Sequence, residues 1–382
     1  MTLVFILEFG RSIGGGDFSI FELAQNLAVL GNNITVFVET GLKLPPSNDS
    51  MNLKIFRRTK IPRIIKRAGL GYLDRFFGNI YDNIVITRYF KKNSNIDFVI
   101  GYQRNTAIRA SKFSRKFNLK SALCIFETPT WLGKQLGELW IKDYRLMHKS
   151  WVDFKKAILN ANFLFTISEI TAQETNEWAG RAVDAVIPLG YAKPQISSNH
   201  NKLDQIIYIG RLVKAKNVDE IIRAIAKTKS SIKLIVCGDG DEKNNLICLA
   251  ESLNVNCEFL GDIVGDEKWK LISESKFMVF PSSFEGFGIP PMEALACGIP
   301  CICSDIPILK EVYKDYVEYF KEHNIDDMSD RISYLLENPL HCNERGKIGK
   351  EYVEDNFGWD KSAQKLEMKL KDYLKLNSKN SD

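Results

Sequence analysis

Short apolar runs that end at or near glycine recur along this 382-residue chain, several with helically spaced hydrophobics after them. That pattern restricts it to an α/β architecture. Leu3-Val4-Phe5-Ile6-Leu7 leads into Gly14-Gly15-Gly16. Helical spacing follows in Phe18, Phe21, Leu23, Ala24, Leu27, Ala28 and Leu30. Gly31 closes that segment, and Ile34-Thr35-Val36-Phe37-Val38 reads as the next strand. Further strands are predicted at 98–100, 122–126 and 163–167. The rhythm breaks over 188–204, where Pro188, Gly190, Pro194, Ser197, Ser198 and Asn199 read as a linker. A second series then begins. Gln205–Ile209 runs to Gly210, with a helix predicted from Val218 to Lys227. Leu234–Cys237 runs to Gly238-Asp239-Gly240, Cys257–Leu260 to Gly261, and Phe277–Phe280 to another glycine loop; Pro300–Cys303 follows. Strand–helix alternation implies parallel, doubly wound sheets, whose ligands bind beyond the carboxyl ends of the strands. The expected organisation is two Rossmann-like domains, residues 1–190 and 203–357, with a terminal helix over 358–376.

Composition narrows the function classes. No apolar stretch approaches the ~20 residues of a membrane span, and Leu3–Leu7 lacks the basic flank of a secretory leader, so it reads as a strand. The eight cysteines show no paired C-x2-C spacing and several fall in apolar segments. Reduced, buried thiols and a cytoplasmic location are the expectation. The net charge of +5 is local. Residues 54–77 hold eight Lys and Arg against one Asp, a charge of +7, which leaves −2 for the rest of the chain. Nucleic-acid binding calls for a wider basic surface and a recognisable module, and neither is evident.

The richest stretch is Phe280-Pro281-Ser282-Ser283-Phe284-Glu285-Gly286-Phe287-Gly288-Ile289-Pro290-Pro291-Met292-Glu293-Ala294-Leu295-Ala296. A strand ends, a glycine loop carries Glu285, and a helix opens at a Pro-Pro step with Glu293 expected in its first turn. Proline suits a first helical position. A helix N-terminus with free N–H groups suits an anion. A second loop, Gly210-Arg211-Leu212-Val213-Lys214-Ala215-Lys216-Asn217, presents Arg211 and Lys216 at a strand end. Two cations there can neutralise a diphosphate, Arg as a planar fork and Lys as a point charge.

The first stretch closely resembles the E-G-F-G-x-P-x-x-E signature of retaining glycosyltransferases of family 4, the glycogen synthase-like and mannosyltransferase-like group 1 enzymes. Glu285 and Glu293 match its two glutamates. The second loop looks like that family's G-R-L-x-x-x-K-G element, with Asn217 replacing the last glycine; Asn tolerates left-handed backbone. The resemblance covers nearly the whole chain and is strongest from Gly210 to Pro307. It implies the GT-B fold, two Rossmann-like domains facing across a cleft, with the terminal helix packing back across both. It also implies a peripheral or cytoplasmic transferase that moves a sugar from a UDP- or GDP-linked donor to a glycan or lipid-linked acceptor, with retention. Arg211, Lys216 and Glu285 would be catalytic. Gly15, Gly16, Gly210, Gly238, Asp262, Ile263, Phe287, Gly288, Ile289 and Glu293 would bind the donor. No Asp-x-Asp cluster stands in a suitable loop, so neither a metal nor a cofactor is expected.

Some residues keep two readings. Family members often carry a histidine at a central strand end of the N-terminal domain, where this chain reads Phe126-Glu127-Thr128. Glu127 or Thr128 is the candidate replacement on the acceptor or sugar side. Ser168 matches a strand-end serine of the family or simply caps the next helix. His148, His200, His323 and His341 read as surface or packing residues. The interleaved basic segment (Arg57, Arg58, Lys60, Arg63, Lys66, Arg67) suits an anionic membrane surface or a phosphate-bearing lipid acceptor, or is an ordinary amphipathic segment. Two other functions stand beside the transferase. A non-catalytic nucleotide-sugar-binding subunit predicts donor binding without turnover. A nicotinamide-dependent enzyme leaves the Arg211/Lys216 and Glu285/Glu293 pairs unexplained.

Overall fold

The computed structural model describes residues 1–7, 15–38, 53–57, 83–129, 138–192, 202–228 and 230–378. They divide into two compact units, Met1–Pro188 with Trp359–Asp382, and Leu189–Gly358.

The first unit is built on a seven-stranded parallel sheet: β1 (Thr2–Leu7), β2 (Asn33–Val38), β3 (Leu53–Arg57), β4 (Phe98–Tyr102), β5 (Ser121–Ile125), β6 (Phe163–Thr166) and β7 (Ala185–Val186). Their order is β3-β2-β1-β4-β5-β6-β7. Leu3 pairs with Ile34 on one side and Phe98 on the other. Leu3, Val4, Phe5 and Ile6 are wholly buried. That explains why β1 reads as an unbroken apolar run, as strands covered on both faces do. The described helices of this unit are α1 (Gly15–Val29), α2 (residues 83–92), α3 (Gln103–Phe117), α4 (Glu138–Leu159), α5 (Glu169–Ala179) and the terminal helix Trp359–Ser378. Neither β3 nor β7 was evident as a strand. In β3, Lys54 and Arg57 belong to a sheet edge, where charged residues discourage pairing with another chain. The remainder of the basic segment, residues 58–77, lies outside the described residues.

The terminal helix belongs with the first unit. Its buried residues Ala363, Leu366 and Leu370 fall at helical spacing. Tyr373 packs its ring against Phe98 and Phe163 at 5.8 and 5.9 Å. Buried Asn32 ties the elements together. Its Oδ1 accepts from the Met1 amino group at 3.0 Å, while its Nδ2 donates to the Leu27 carbonyl at 2.9 Å and to Glu367 at 2.8 Å. Asn32→Ala is expected to destabilise the first unit by about 2 kcal/mol, because two of these bonds involve charged groups; a urea titration checks it.

The second unit repeats the plan with β8 (Gln205–Ile209), β9 (Lys233–Cys237), β10 (Cys257–Gly261), β11 (Met278–Phe280), β12 (Cys301–Ser304) and β13 (Glu318–Phe320). Every pairing is parallel, in the order β10-β9-β8-β11-β12-β13. Its helices are α6 (Val218–Thr228), α7 (Lys243–Ser252), α8 (Asp266–Glu274), α9 (Ile289–Ala296), α10 (Pro307–Tyr313), α11 (Ile325–Glu337) and α12 (Pro339–Asn356). The helix Trp359–Ser378 is α13. Strand order reverses between β1 and β4 and again between β8 and β11, so the loops leaving these neighbours diverge and open a crevice. Among the described residues no helix is long and apolar enough to cross a membrane. All eight cysteines are free and six are buried. Burial pushes the Cys237 thiol up to about 12, which leaves it unreactive.

Candidate functional site

The crevice of the second unit lies beyond β8 and β11, and the two singled-out loops leave from those strands. Backbone hydrogen bonds fix the first loop. Gly210 N donates to the Cys237 carbonyl at 3.0 Å, Leu212 N to the Asp239 carbonyl at 2.9 Å, and Gly238 N to the Gly261 carbonyl at 2.7 Å. The ends of β8, β9 and β10 are thereby stitched together. A β-carbon on Gly238, whose φ is 140°, would sit 1.9 Å from the Gly210 carbonyl oxygen. Only glycine allows that approach. The buried Tyr208 hydroxyl donates to the Arg211 carbonyl at 3.1 Å, which holds the Arg211 backbone while its side chain stays exposed. Asp262, just past β10, is exposed and Ile263 half-buried.

A 3-10 turn, Lys214–Lys216, carries Lys216 inward. Lys216 Nζ donates to Glu285 Oε1 at 2.5 Å and to the Phe284 carbonyl at 2.9 Å. The two side chains are only 9% and 13% exposed. Sequence placed these charges 69 residues apart on different loops; the fold makes them one ion pair at the strand-order reversal. Poorly solvated charge acts strongly on a ligand that enters beside it.

Helix α9 starts from Gly288, which takes φ 84° and whose carbonyl accepts from the buried Tyr313 hydroxyl. Two expectations change here. Pro290 and Pro291 occupy early helical positions and carry no N–H, so the N-terminus offers an anion fewer donors than an ordinary helix; the Ile289 N–H is kept. Glu293 is the fifth residue of α9 and so lies in its second turn. It is paired with Lys268 of α8 at 2.6 Å, and Lys268 also stands 4.5 Å from the centre of the Trp269 ring. Phe287 turns its ring into the core against Phe357, leaving its backbone to serve the loop.

Asn217 does what the glycine of the family pattern could not. It adopts φ 50°, and its Nδ2 donates to the Pro281 carbonyl at 2.9 Å and to Ser283 Oγ at 2.7 Å. Ser283 N donates to the Ala215 carbonyl at 3.0 Å. The 214–217 and 281–285 loops are therefore fastened side by side. Ser283 Oγ also lies 3.2 Å from His323 Nε2, and His323 Nδ1 lies 2.7 Å from Glu220 Oε1. His323, read from sequence as a surface or packing residue, is exposed and also bridges α6 to the loop that carries Glu285. Neither it nor Lys268 was legible beforehand, because their partners are 103 and 25 residues away.

In the first unit, the residues singled out line the carboxyl end of its sheet. Gly15 and Gly16 open α1. A β-carbon on Gly16 would stand 2.9 Å from both the Gln103 side chain and the Phe126 ring. Gln103, at the end of β4, holds a left-handed φ of 52°. Glu127 is half-buried. The buried Thr128 hydroxyl donates to Glu174 at 3.2 Å. Ser168 caps α5, accepting from Thr171 N at 3.1 Å.

Residues 192–352 match the family model described as glycosyl transferases group 1. The chain carries a group 1 glycosyltransferase domain. Among curated relatives, the O-antigen biosynthesis glycosyltransferase WclY of Escherichia coli is 34% identical over 158 residues, 41% of this chain and 43% of that protein. The match thus spans less than half the length of that relative. Among solved structures, the sucrose-phosphate synthase of Thermosynechococcus elongatus superposes with a TM-score of 0.75 at 18% identity, covering 99% of each chain. HepE of Anabaena, in complex with UDP-glucose, gives 0.75 at 14% identity over 97% of this chain and 100% of its own. These likenesses establish the GT-B fold for a group 1 glycosyltransferase domain joined to a second parallel-sheet α/β unit.

Proposed function

We propose that this chain is a retaining, metal-independent glycosyltransferase of family 4 that moves a sugar from a UDP- or GDP-linked donor to a glycan or lipid-linked acceptor. The observation that carries the reading is the Lys216–Glu285 pair, largely shielded from water where the strand order reverses. Breaking a glycosidic phosphate ester places negative charge on the leaving diphosphate. Lys216 and exposed Arg211 supply fixed positive charge beside it, and the Ile289 N–H adds a donor at the helix start. Glu285 accepts hydrogen bonds from sugar hydroxyls and Glu293 from the ribose diol. In the first unit, Gly15 and Gly16 belong to the donor side, and Glu127 or Thr128 serves the sugar or acceptor. The acceptor oxygen forms its bond to the anomeric carbon on the face that the phosphate leaves, and its proton passes to a phosphate oxygen. The relative named for O-antigen biosynthesis and the neighbour holding UDP-glucose support the acceptor and donor classes.

The test is diphosphate release from a panel of UDP-, GDP- and ADP-sugars, run in EDTA, with and without membrane lipid extract. Release from one donor, with the anomeric configuration retained in the product, is the expected result. Binding without release under every acceptor condition would instead fit a non-catalytic nucleotide-sugar-binding subunit. Stimulation by the lipid extract would support a membrane-surface role for the basic segment.

A further inference from the structure

Resting on that reading, we propose that His323 is a positioning residue of the donor site: it clamps the loop carrying Glu285 to the start of α6 through Ser283 and Glu220. Four observations converge on it. His323 holds a left-handed backbone, φ 59°, which costs a residue with a β-carbon energy and persists only where the surroundings impose it. Those surroundings are visible. Glu322 N donates to Asp305 at 2.9 Å, Lys321 N to Asp327 at 2.7 Å, and Asn324 caps α11 through Asp327 N. The loop is thus pinned on both sides and presents the imidazole at a fixed place.

The second observation is Glu220. It is only 9% exposed, one oxygen meets His323 and the other has no hydrogen-bond partner among the described residues. A carboxylate so placed needs a cationic or donating neighbour, and His323 provides it. The third is Ser283, which is fastened to Asn217 and Ala215 and thereby to Lys216. The fourth is distance along the chain to Lys216–Glu285. Only one residue separates Ser283 from Glu285 on one loop, and Asn217 follows Lys216 directly on the other. A shift of Ser283 therefore reaches the ion pair from both sides.

The order Ser283–His323–Glu220 is that of a nucleophilic triad, but Asn217 already donates to Ser283 Oγ at 2.7 Å and so lowers its nucleophilicity. The arrangement holds the serine rather than activating it. Both protonation states of His323 close the network. When neutral, its Nε2 accepts from the Ser283 hydroxyl. When protonated, it donates to Ser283 and makes charge-assisted bonds, the stronger clamp. The charged groups facing it are Glu220 and Asp219 of α6 and Glu322 of its own loop; Ser283 is neutral. The hydrogen bond to Glu220 holds the His323 imidazolium above its usual range, while burial pushes Glu220 upward as well. The clamp is therefore strongest above the Glu220 titration and below that of His323, and weakens as pH rises through the latter.

The test is calorimetric binding of UDP and GDP to the full chain between pH 5.5 and 8.5, comparing wild type with His323→Gln and Ser283→Ala, with melting temperature as the fold control. Gln keeps one donor toward Ser283 and cannot titrate. The expected result is about tenfold weaker nucleotide binding for each variant at pH 6. The ratio of wild-type to His323→Gln affinity should fall toward unity by pH 8.5, and the double variant should lose little more than either single one. A ratio that stays constant with pH, or variants that bind as wild type, would overturn the clamp while leaving the transferase reading intact. Wild-type chain that binds neither nucleotide would overturn both.

Discussion

Lys216→Met is expected to lower kcat by about 10²–10³ while the protein stays folded. The ammonium it removes lies 2.5 Å from Glu285 and is nearly excluded from water. In water a single charge placed near a phosphate matters little; in a poorly solvated crevice it acts on developing charge with little screening. Part of the loss reflects Glu285 left without its cation. Removing one partner of such a pair strands the other's charge. Glu285→Gln in the same background separates the two contributions. If Lys216 acts on the leaving group, Lys216→Met/Glu285→Gln stays as slow as Lys216→Met. If Lys216 merely neutralises Glu285, the second change restores activity. Lys216→Arg keeps the charge but exchanges a point charge for a larger planar fork, and should keep about a tenth of the activity. Single-turnover diphosphate release from the donor identified in the panel reads all four proteins. A kcat for Lys216→Met within threefold of wild type would remove Lys216 from the catalytic set.

The legibility of this chain followed the range of its interactions. Strands covered on both faces announce themselves as apolar runs, so β1, β2, β4, β8 and β9 could be read locally. The edge strand β3 could not, because its alternation of Lys54 with Leu53 and Ile55 is indistinguishable from an amphipathic surface segment until β2 is seen beside it. The loops bearing Arg211, Lys216 and Glu285, and the helix start leading to Glu293, were legible because glycine and proline spacing survives without tertiary context. What each charge meets was not. Lys268 on Glu293 and His323 on Glu220 are joined by sheet order alone. Asn217 shows the boundary clearly. Its left-handed backbone followed from residue type, whereas its two side-chain bonds to the 281–283 stretch depend on β8 lying next to β11. The missing strand-end histidine of the first unit has no histidine substitute at that place; Glu127 and Thr128 occupy it.

Gly238→Ala should cost the second unit about 3 kcal/mol or more, among the largest effects of any single methyl group in this chain. The added carbon would lie 1.9 Å from the Gly210 carbonyl oxygen and 2.9 Å from its carbon. Backbone cannot swing aside as the end of a side chain can. The strand end would have to move, and with it the bonds from Gly210 N to Cys237 and from Gly238 N to Gly261. Gly261→Ala supplies the control. It also has positive φ, 74°, but its β-carbon would meet nothing within 4 Å, so only backbone strain of about 1–2 kcal/mol is at issue. For a unit of this size, 3 kcal/mol corresponds to roughly 6–12 °C in melting temperature. Function should suffer beyond stability. Displacing Gly210 moves Arg211, so nucleotide binding well below the melting temperature should weaken in Gly238→Ala and hold in a variant such as Asn32→Ala, whose loss falls in the other unit. Equal losses for Gly238→Ala and Gly261→Ala would mean that the β8 and β9 ends separate easily. The rigid platform assigned to Arg211 would then have no basis.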